Sequence, residues 1–132
     1  MTATKPTILL IPGAWHKPTH YSALRDVLEK NSYPTTCHGL PSIDCTDASQ
    51  HTAQTDADFI RAQLLLPLLE EEKRVIVAMH SYGGLPGSAA AYGLSEGERR
   101  EKGKLFSQQQ AYILGLNIMN FVIQQESLRE FW

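Results

Sequence analysis

Residues 74–84 read Arg-Val-Ile-Val-Ala-Met-His-Ser-Tyr-Gly-Gly, and this stretch decides the fold. Its first part, residues 74–79, is a short and mainly apolar run, which is typical of a strand buried on both faces of a parallel sheet. A serine and two glycines follow, and the alanine-rich residues 85–94 then predict a helix packed close behind the strand. Because strand, sharp turn and small-residue helix follow one another directly, Ser81 is expected on the turn.

Two further strands are predicted on the N-terminal side of this stretch. Residues 7–11 form a second apolar run, which Pro12 and Gly13 end. Residues 33–38 form a weaker strand, expected at a strand start or sheet edge because Pro34 has no N–H to donate. Strands that alternate with helices indicate a parallel sheet with right-handed crossovers.

Helices are expected between these strands. One is predicted over residues 19–30, with Thr19 as its cap. Its apolar face would consist of Tyr21, Leu24, Val27 and Leu28. A second helix is predicted from residue 55 to residue 68, with a kink at Pro67.

The C-terminal part of the chain is predicted to be helical. Ser95 and Glu98 have the spacing of a capping box for a short helix. Apolar residues then recur at helical spacing within residues 105–132, which predicts one long amphipathic helix. The expected fold class is α/β: a short parallel sheet of about three strands with flanking helices and a long C-terminal helix.

The chemistry expected at Ser81 depends on its surroundings. A catalytic serine needs an exposed position, a base that takes its proton, and donors that stabilise the oxyanion. The turn supplies the first requirement, and Gly83 and Gly84 leave room for it. Nucleophilic serines on such a turn usually have the pattern Gly-x-Ser-x-Gly. This chain has Met79 in place of the first glycine, so it departs from the strict pattern at that position. We interpret Ser81 as a nucleophile position; the alternative is a serine that caps a helix after a buried strand.

A second motif follows the strand at residues 7–11. Residues 12–16 read Pro-Gly-Ala-Trp-His. In folds that carry a nucleophile on a strand–turn–helix motif, a loop after another strand supplies the second donor of the oxyanion hole, and residues 12–16 are in such a loop. The predicted donors are the backbone N–H groups of Ala14 and Tyr82. Trp15 and His16 are predicted to bind substrate, with solvent exposure or packing as the alternative for His16.

On these two motifs the sequence resembles the α/β-hydrolase superfamily. It is most similar to small cofactor-free serine esterases, common in fungi, that carry a Gly-Ala-Trp-His loop and a His-Ser-Tyr-Gly-Gly elbow; plant methyl esterases are similar at a greater distance. The resemblance covers residues 6–104 and implies hydrolysis of an ester, lactone or related acyl bond of a small organic molecule, with fungal secondary metabolism as a setting. It makes residues 1–104 the N-terminal half of an α/β-hydrolase domain and residues 105–132 a helical tail that does not match the family.

The resemblance also implies a triad in the chain order serine, acid, histidine. The chain has five histidines, all of which precede Ser81: His16, His20, His38, His51 and His80. A structural role is expected for His80, because adjacent residues on a turn point in different directions. Four aspartates lie in or beside the loop after the second strand, where some hydrolases carry a catalytic acid, and each is equally suited to loop solvation or helix capping: Asp44, Asp47, Asp56 and Asp58. We therefore expect a truncated chain in which the triad acid and histidine are missing and activity is impaired.

Composition restricts the partners. A net charge of −2 and a pI near 6.2 give no reason to expect nucleic acid or an anionic membrane. The N-terminal apolar run is too short for a signal peptide or a membrane span.

Cys37 and Cys45 form neither a metal-binding spacing nor a disulfide framework. The expectations are a cytoplasmic protein with no cofactor or metal, a small-molecule substrate, and self-association through an exposed sheet edge.

The residues leave the function class open. The first hypothesis is an ancestral serine hydrolase that keeps the nucleophile and the oxyanion loop but has little activity alone. The second is a non-catalytic binding or interaction module that uses the remaining pocket or the sheet edge. A hydrolase completed by another chain is a third reading, which no particular residue suggests.

Overall fold

The computed structural model describes residues 4–101 and 116–117. Its strands form one parallel sheet: β1 (Thr7–Ile11), β2 (Thr35–Cys37), β3 (Val75–Met79) and β4 (Leu116–Asn117). Its α-helices are α1 (Ser22–Lys30), α2 (Ala53–Phe59), α3 (Leu66–Glu70), α4 (Gly84–Ala91) and α5 (Glu96–Glu101). The strands lie in the order β2-β1-β3-β4. The predicted α/β class is confirmed.

The three predicted strands are present close to their predicted bounds. β1 has the predicted bounds, and β3 begins one residue later than predicted. β2 is shorter than predicted and pairs with β1 at one side of the sheet, as the proline before it indicates. Short apolar runs therefore located the sheet correctly.

The fourth strand corrects the prediction for the C-terminal part. Leu116 and Asn117 pair in parallel with Ala78 and Met79 of β3, so a continuous helix over residues 105–132 is wrong at these two residues. The physical reason is that β3 has unpaired N–H and C=O groups on that side, and pairing with them outweighs a local helical pattern. The rest of that predicted helix lies outside the described residues, and the division at residue 104 stays a prediction.

Both faces of the sheet are covered. On one face, alternating residues of β1 and β3 pack with α2, α3 and α4 in the larger core cluster; they are Leu9, Ile11, Val75, Val77 and Met79. On the other face, Ile8, Leu10 and Ala78 pack with Tyr21, Leu28 and Tyr33. Coverage on both faces explains why β1 and β3 are continuous apolar runs without polar alternation.

Helix α1 differs from its prediction at its start and on its face. A 3₁₀ turn over Pro18–Tyr21 precedes it, and the Thr19 carbonyl accepts a hydrogen bond from the Ser22 hydroxyl, so Thr19 is not the side-chain cap. Leu28 packs on the sheet, but Val27 is 57% exposed. The two are neighbours in sequence and therefore lie about 100° apart around the helix, so one contact cannot cover both.

Pro67 lies just after a change of helix type. The helix capped by Thr52 runs as α2, continues as a π-helix over Ile60–Leu65, and ends as α3. In the π-helical part, the Leu66 N–H donates to the Arg61 carbonyl five residues earlier. Because proline lacks an N–H and its ring collides with the carbonyl four residues before it, a widened turn at this place relieves the conflict.

The predicted capping box before α5 is confirmed. The Ser95 N–H donates to the Glu98 carboxylate at 3.2 Å, and the Glu98 N–H donates back to the Ser95 hydroxyl. Across residues 4–101 and 116–117, every helix is too short or too polar to cross a bilayer.

The core predicts a clear difference between two leucines. Leu9 is fully buried in the larger core cluster, on the strand between β2 and β3, whereas Leu24 on α1 is 41% exposed. We expect Leu9→Ala to lower the free energy of unfolding by about 2–5 kcal/mol through lost burial and a residual cavity. Leu24→Ala should cost at most about 1 kcal/mol. Urea denaturation of both variants measures the difference, and equal losses would contradict the core assignment.

Candidate active site

The turn between β3 and α4 has strained geometry at Ser81. Ser81 has φ of 51°, in the left-handed region that a residue with a side chain rarely adopts. The strand pairing continues one residue past β3, because the His80 N–H donates to the Ile11 carbonyl at 3.0 Å. The His80 carbonyl then accepts from the Gly83 N–H at 2.9 Å, which closes the turn. Such a conformation costs on the order of 1–3 kcal/mol and persists only where neighbours impose it.

Two glycines let the neighbours approach this turn. A Cβ at Gly83 would lie 2.5 Å from the Pro12 carbonyl oxygen and 2.7 Å from that of Ile11. A Cβ at Gly13 would lie 2.9 Å from His80 Nδ1 and 3.2 Å from the Ser81 Cβ. The loop after β1 and the turn after β3 are therefore in direct contact, and each contributes a glycine to it.

A third glycine accommodates the departure from the usual motif at Met79. A Cβ at Gly87, on α4, would lie 2.6 Å from the Met79 sulfur and 2.9 Å from its Cγ. The strict pattern has its small residue on the strand, whereas here the strand carries the methionine and the helix carries the glycine. Helix and strand still pack closely because one of the two facing residues remains small.

Residues 13–16, in the loop after β1, form a four-residue turn, and Ala14 is its second residue. The His16 N–H donates to the Gly13 carbonyl at 3.1 Å, and Trp15, the third residue of the turn, has φ of 60°. Positive φ at that position is the mark of a type II turn and is unusual for tryptophan. Trp15 is 88% exposed, so this strained loop presents a large aromatic side chain to solvent.

A cluster of rings lies between this loop and the turn at residues 80–83, which we call the elbow. The Tyr21 hydroxyl accepts from the Gly13 N–H at 3.0 Å and lies 2.7 Å from His80 Nδ1. The His16 ring stands edge-on to the His80 ring, with 4.9 Å between centroids. Burial lowers the pKa of His80, and the neighbouring His16 lowers it further. His80 is therefore neutral near pH 7, and its Nδ1 is engaged with Tyr21.

A buried carboxylate supports the elbow from the other side. Asp56 is fully buried at 0% exposure, and its carboxylate accepts from the Tyr82 hydroxyl at 2.8 Å. It also accepts from the Ser42 N–H at 3.0 Å and the Ser42 hydroxyl at 2.5 Å. Burial and the bond to Asp56 raise the pKa of Tyr82. Asp56 thus fixes the side chain of the residue that follows Ser81.

The structure brings most of the predicted site residues together. Ser81 and Tyr82 lie on the elbow, and Gly13, directly before Ala14, touches it. His16 is half-buried in the ring cluster, where its Nδ1 donates to the Ala14 carbonyl at 2.8 Å. The catalytic and substrate-binding roles of these residues, and of the exposed Trp15, stay predictions.

The five histidines all fall within residues 4–101, and none of their rings is hydrogen-bonded to the Ser81 hydroxyl in this part of the chain. His20 Nδ1 accepts from the Lys17 N–H, while His38 and His51 lie outside the ring cluster. This arrangement supplies no base of the kind that a serine triad uses.

The other three aspartates near β2 have local roles. Asp47 caps a short 3₁₀ turn by accepting from the Ser49 N–H, Asp58 accepts from Gln54, and Asp44 pairs with Lys17 at 3.6 Å. Hydrogen bonds from Ser49 lower the pKa of Asp47. For Asp56, loop solvation and helix capping are both wrong, because the side chain is fully buried and accepts hydrogen bonds from Ser42 and Tyr82. Within the described ranges, no three His, Cys, Asp or Glu side chains are grouped as a metal site.

Part of this sequence is similar to the sequences of known proteins. A family model described as the alpha/beta hydrolase family matches residues 8–116. The chain is 34% identical over 91 residues to the alpha/beta hydrolase nvfD of Aspergillus novofumigatus, a match that covers 69% of this chain and 36% of that protein. It is 34% identical over 94 residues to the probable hydrolase R7 of a Phoma species, covering 70% of this chain and 38% of that protein. The chain thus spans little more than a third of the length of these relatives. No solved structure matches it.

The contact at Gly83 predicts that even one methyl group is too large there. Gly83→Ala should lower the free energy of unfolding by about 1–3 kcal/mol, since the new Cβ meets two backbone carbonyls. Gly97→Ala is the matched control, because a Cβ at Gly97 has nothing within 4 Å. It should leave stability unchanged or raise it by up to about 1 kcal/mol through helix propensity. Urea denaturation compares the two variants; similar values would contradict the tight contact.

The lowered pKa of His80 predicts a pH dependence of stability. Below about pH 6.5, the ordinary pKa of histidine, the unfolded chain binds a proton that folded His80 resists. The free energy of unfolding should therefore fall with decreasing pH until the folded state is protonated too. His80→Gln should remove this part of the loss, and His38→Gln, at an exposed histidine, should keep it. Denaturation at pH 7.5 and pH 5.5 checks this; the same loss in His80→Gln as in the unsubstituted chain would contradict it.

Proposed function

Because this chain belongs to the alpha/beta hydrolase family, we propose that it carries the nucleophile and the oxyanion side of a serine hydrolase site. The observation that carries the proposal is the left-handed conformation of Ser81 at the turn between a buried strand and a helix. Strain of this kind exposes the hydroxyl at the carboxyl end of the sheet. A serine that merely caps a helix has extended backbone and needs no such strain.

The proposed chemistry is acyl transfer. The Ser81 hydroxyl oxygen bonds to a carbonyl carbon as the C=O π bond breaks, its proton passes to solvent, and the carbonyl oxygen acquires the negative charge. When the C=O bond re-forms, the ester C–O bond breaks and the leaving alcohol takes up a proton from solvent. The N–H of Tyr82 faces no intrahelical acceptor, since it belongs to the first turn of the 3₁₀ helix over Ser81–Gly83. The N–H of Ala14 is the proposed second donor. Loss of one oxyanion donor typically costs about 10²–10³-fold in rate, so both matter.

The proposed substrate is an ester, lactone or related acyl bond of a small organic molecule, hydrolysed without a cofactor. Fungal secondary metabolism is the setting proposed on the sequence resemblance, and the two hydrolase relatives named above are fungal. The exposed Trp15 and the half-buried His16 are proposed substrate contacts, because they directly follow Ala14 in the same loop.

We propose weak activity for the 132-residue chain on its own. No histidine ring among the described residues accepts the Ser81 proton, and the described Nδ1 atoms of His16, His20 and His80 have other partners. In a serine protease, removal of triad members leaves about 10³–10⁴-fold acceleration over water from the oxyanion hole and binding alone. Slow, Ser81-dependent acylation is the corresponding expectation here.

A non-catalytic binding module is the second candidate. It is favoured by the exposure of Trp15 in a strained loop, which would suit ligand contact without chemistry. The two candidates differ in the reactivity of Ser81, since a binding module does not need a reactive hydroxyl.

A fluorophosphonate probe tests the proposal, because its phosphorus bonds to a reactive serine oxygen and releases fluoride. We expect slow labelling confined to Ser81, loss of labelling in Ser81→Ala, and unchanged labelling in Ser88→Ala, which alters an exposed serine on α4. Intact-mass spectrometry gives the rate, and peptide mapping gives the position.

Two outcomes would overturn parts of the proposal. Equal labelling of Ser81→Ala and the unsubstituted chain would remove Ser81 as the nucleophile and leave the binding module. A rate equal to that of an intact serine hydrolase measured alongside would show that a base activates Ser81, contrary to the proposed weak activity.

A further inference from the structure

One side chain connects the two loops that form the proposed site. Tyr21 comes from the 3₁₀ turn before α1, accepts from the Gly13 N–H and contacts His80 Nδ1. Gly13 belongs to the loop after β1, and His80 to the elbow after β3. We propose that Tyr21 is a positioning residue that holds the oxyanion loop against the nucleophile elbow, an inference that rests on the proposed function of Ser81.

The hydrogen atoms of this network have one arrangement that uses every group. A backbone N–H can only donate, so the Tyr21 oxygen accepts from Gly13. The single hydroxyl hydrogen of Tyr21 is then used when it points to an unprotonated His80 Nδ1. If Nδ1 carried a proton, it would donate to Tyr21 and leave the hydroxyl hydrogen without this acceptor, which is costly for a partly buried group. The proton of neutral His80 is therefore assigned to Nε2.

Tyr21 acts on the Ala14 N–H through the backbone of Gly13. The Gly13 N–H is held by Tyr21, and the Gly13 carbonyl accepts from the His16 N–H at 3.1 Å. The peptide that joins Gly13 to Ala14 is planar and trans, so its N–H points opposite to its carbonyl. Holding Gly13 on both sides therefore fixes the direction of the proposed Ala14 donor.

His16 does not replace Tyr21 in this role. Its Nδ1 donates to the Ala14 carbonyl at 2.8 Å, within its own loop, and among the described residues its ring meets the His80 ring edge-on without a hydrogen bond between the two loops. Tyr21 thus supplies hydrogen bonds to both loops, one to each. A misplacement of about 1 Å in a catalytic group can cost about 10²-fold in rate, so loss of this connection should be visible in reactivity.

The test compares Tyr21→Phe with Tyr33→Phe in the full chain. Both tyrosines pack on the same face of the sheet, and the Tyr33 ring lies under the Lys5 ammonium at 4.3 Å, a contact that phenylalanine retains. Three quantities are measured: the protonation of the His80 ring nitrogens by ¹⁵N NMR, the exchange rate of the Gly13 amide hydrogen, and the rate of Ser81 labelling by a fluorophosphonate.

We expect the unsubstituted chain to show His80 protonated on Nε2 and a protected Gly13 amide. Tyr21→Phe should change the His80 tautomer balance, expose the Gly13 amide to exchange, and slow Ser81 labelling by about 10–100-fold. Tyr33→Phe should change none of the three. The tautomer of the unsubstituted chain is informative even if Tyr21→Phe fails to fold.

Three results would overturn the inference: a proton on His80 Nδ1 in the unsubstituted chain, unchanged Gly13 exchange in folded Tyr21→Phe, or equal labelling rates in the two variants. Failure of the proposed function is distinguishable, because it appears as absent Ser81 labelling in the unsubstituted chain. The NMR and exchange measurements do not depend on that labelling.

Discussion

The parallel pairing of β1 with β3 is the constraint on which the candidate site depends. Ile11 pairs with Met79 at the last position of both strands, so the two chains leave the sheet side by side at the same edge. Whatever follows each strand must therefore share one small space. The loop that begins at Pro12 and the elbow at Ser81 meet there because β1 and β3 end at the same level of the sheet. The tight contacts of Gly13 and Gly83 follow from this.

That shared space also explains how a strained serine is kept in place. The turn at Ser81 is held from β1 by the bond between the His80 N–H and the Ile11 carbonyl, and from α2 by the hydrogen bond between Asp56 and Tyr82. A fully buried carboxylate is costly unless donors surround it, and Ser42 and Tyr82 provide them. The stability of the sheet and the helices thus offsets a conformation that Ser81 would not adopt in an isolated peptide.

Sequence reasoning found what is encoded locally and missed what depends on docking. The apolar runs at residues 7–11 and 75–79 are continuous in sequence, so β1, β3 and the elbow between β3 and α4 could be predicted. The bond between Tyr21 and His80 joins residues 59 apart, and that between Asp56 and Tyr82 joins residues 26 apart. No local pattern predicts such pairs, because tyrosine and aspartate occur in both loops and helix ends and their neighbours in sequence do not identify a distant partner. β4 was missed for a related reason: its two residues become a strand only beside β3.

The facing of Met79 and Gly87 has a consequence for how relatives of this chain are recognised. Because a Cβ at Gly87 would lie 2.6 Å from the Met79 sulfur, the packing here limits the summed volume of two residues that are eight positions apart. A fixed string with glycine at the position of Met79 excludes this chain, although Gly87 leaves the space that the Met79 side chain fills. Chains in which both positions are small or both are large would be the ones expected to pack poorly, so the pair rather than the string is the unit to compare.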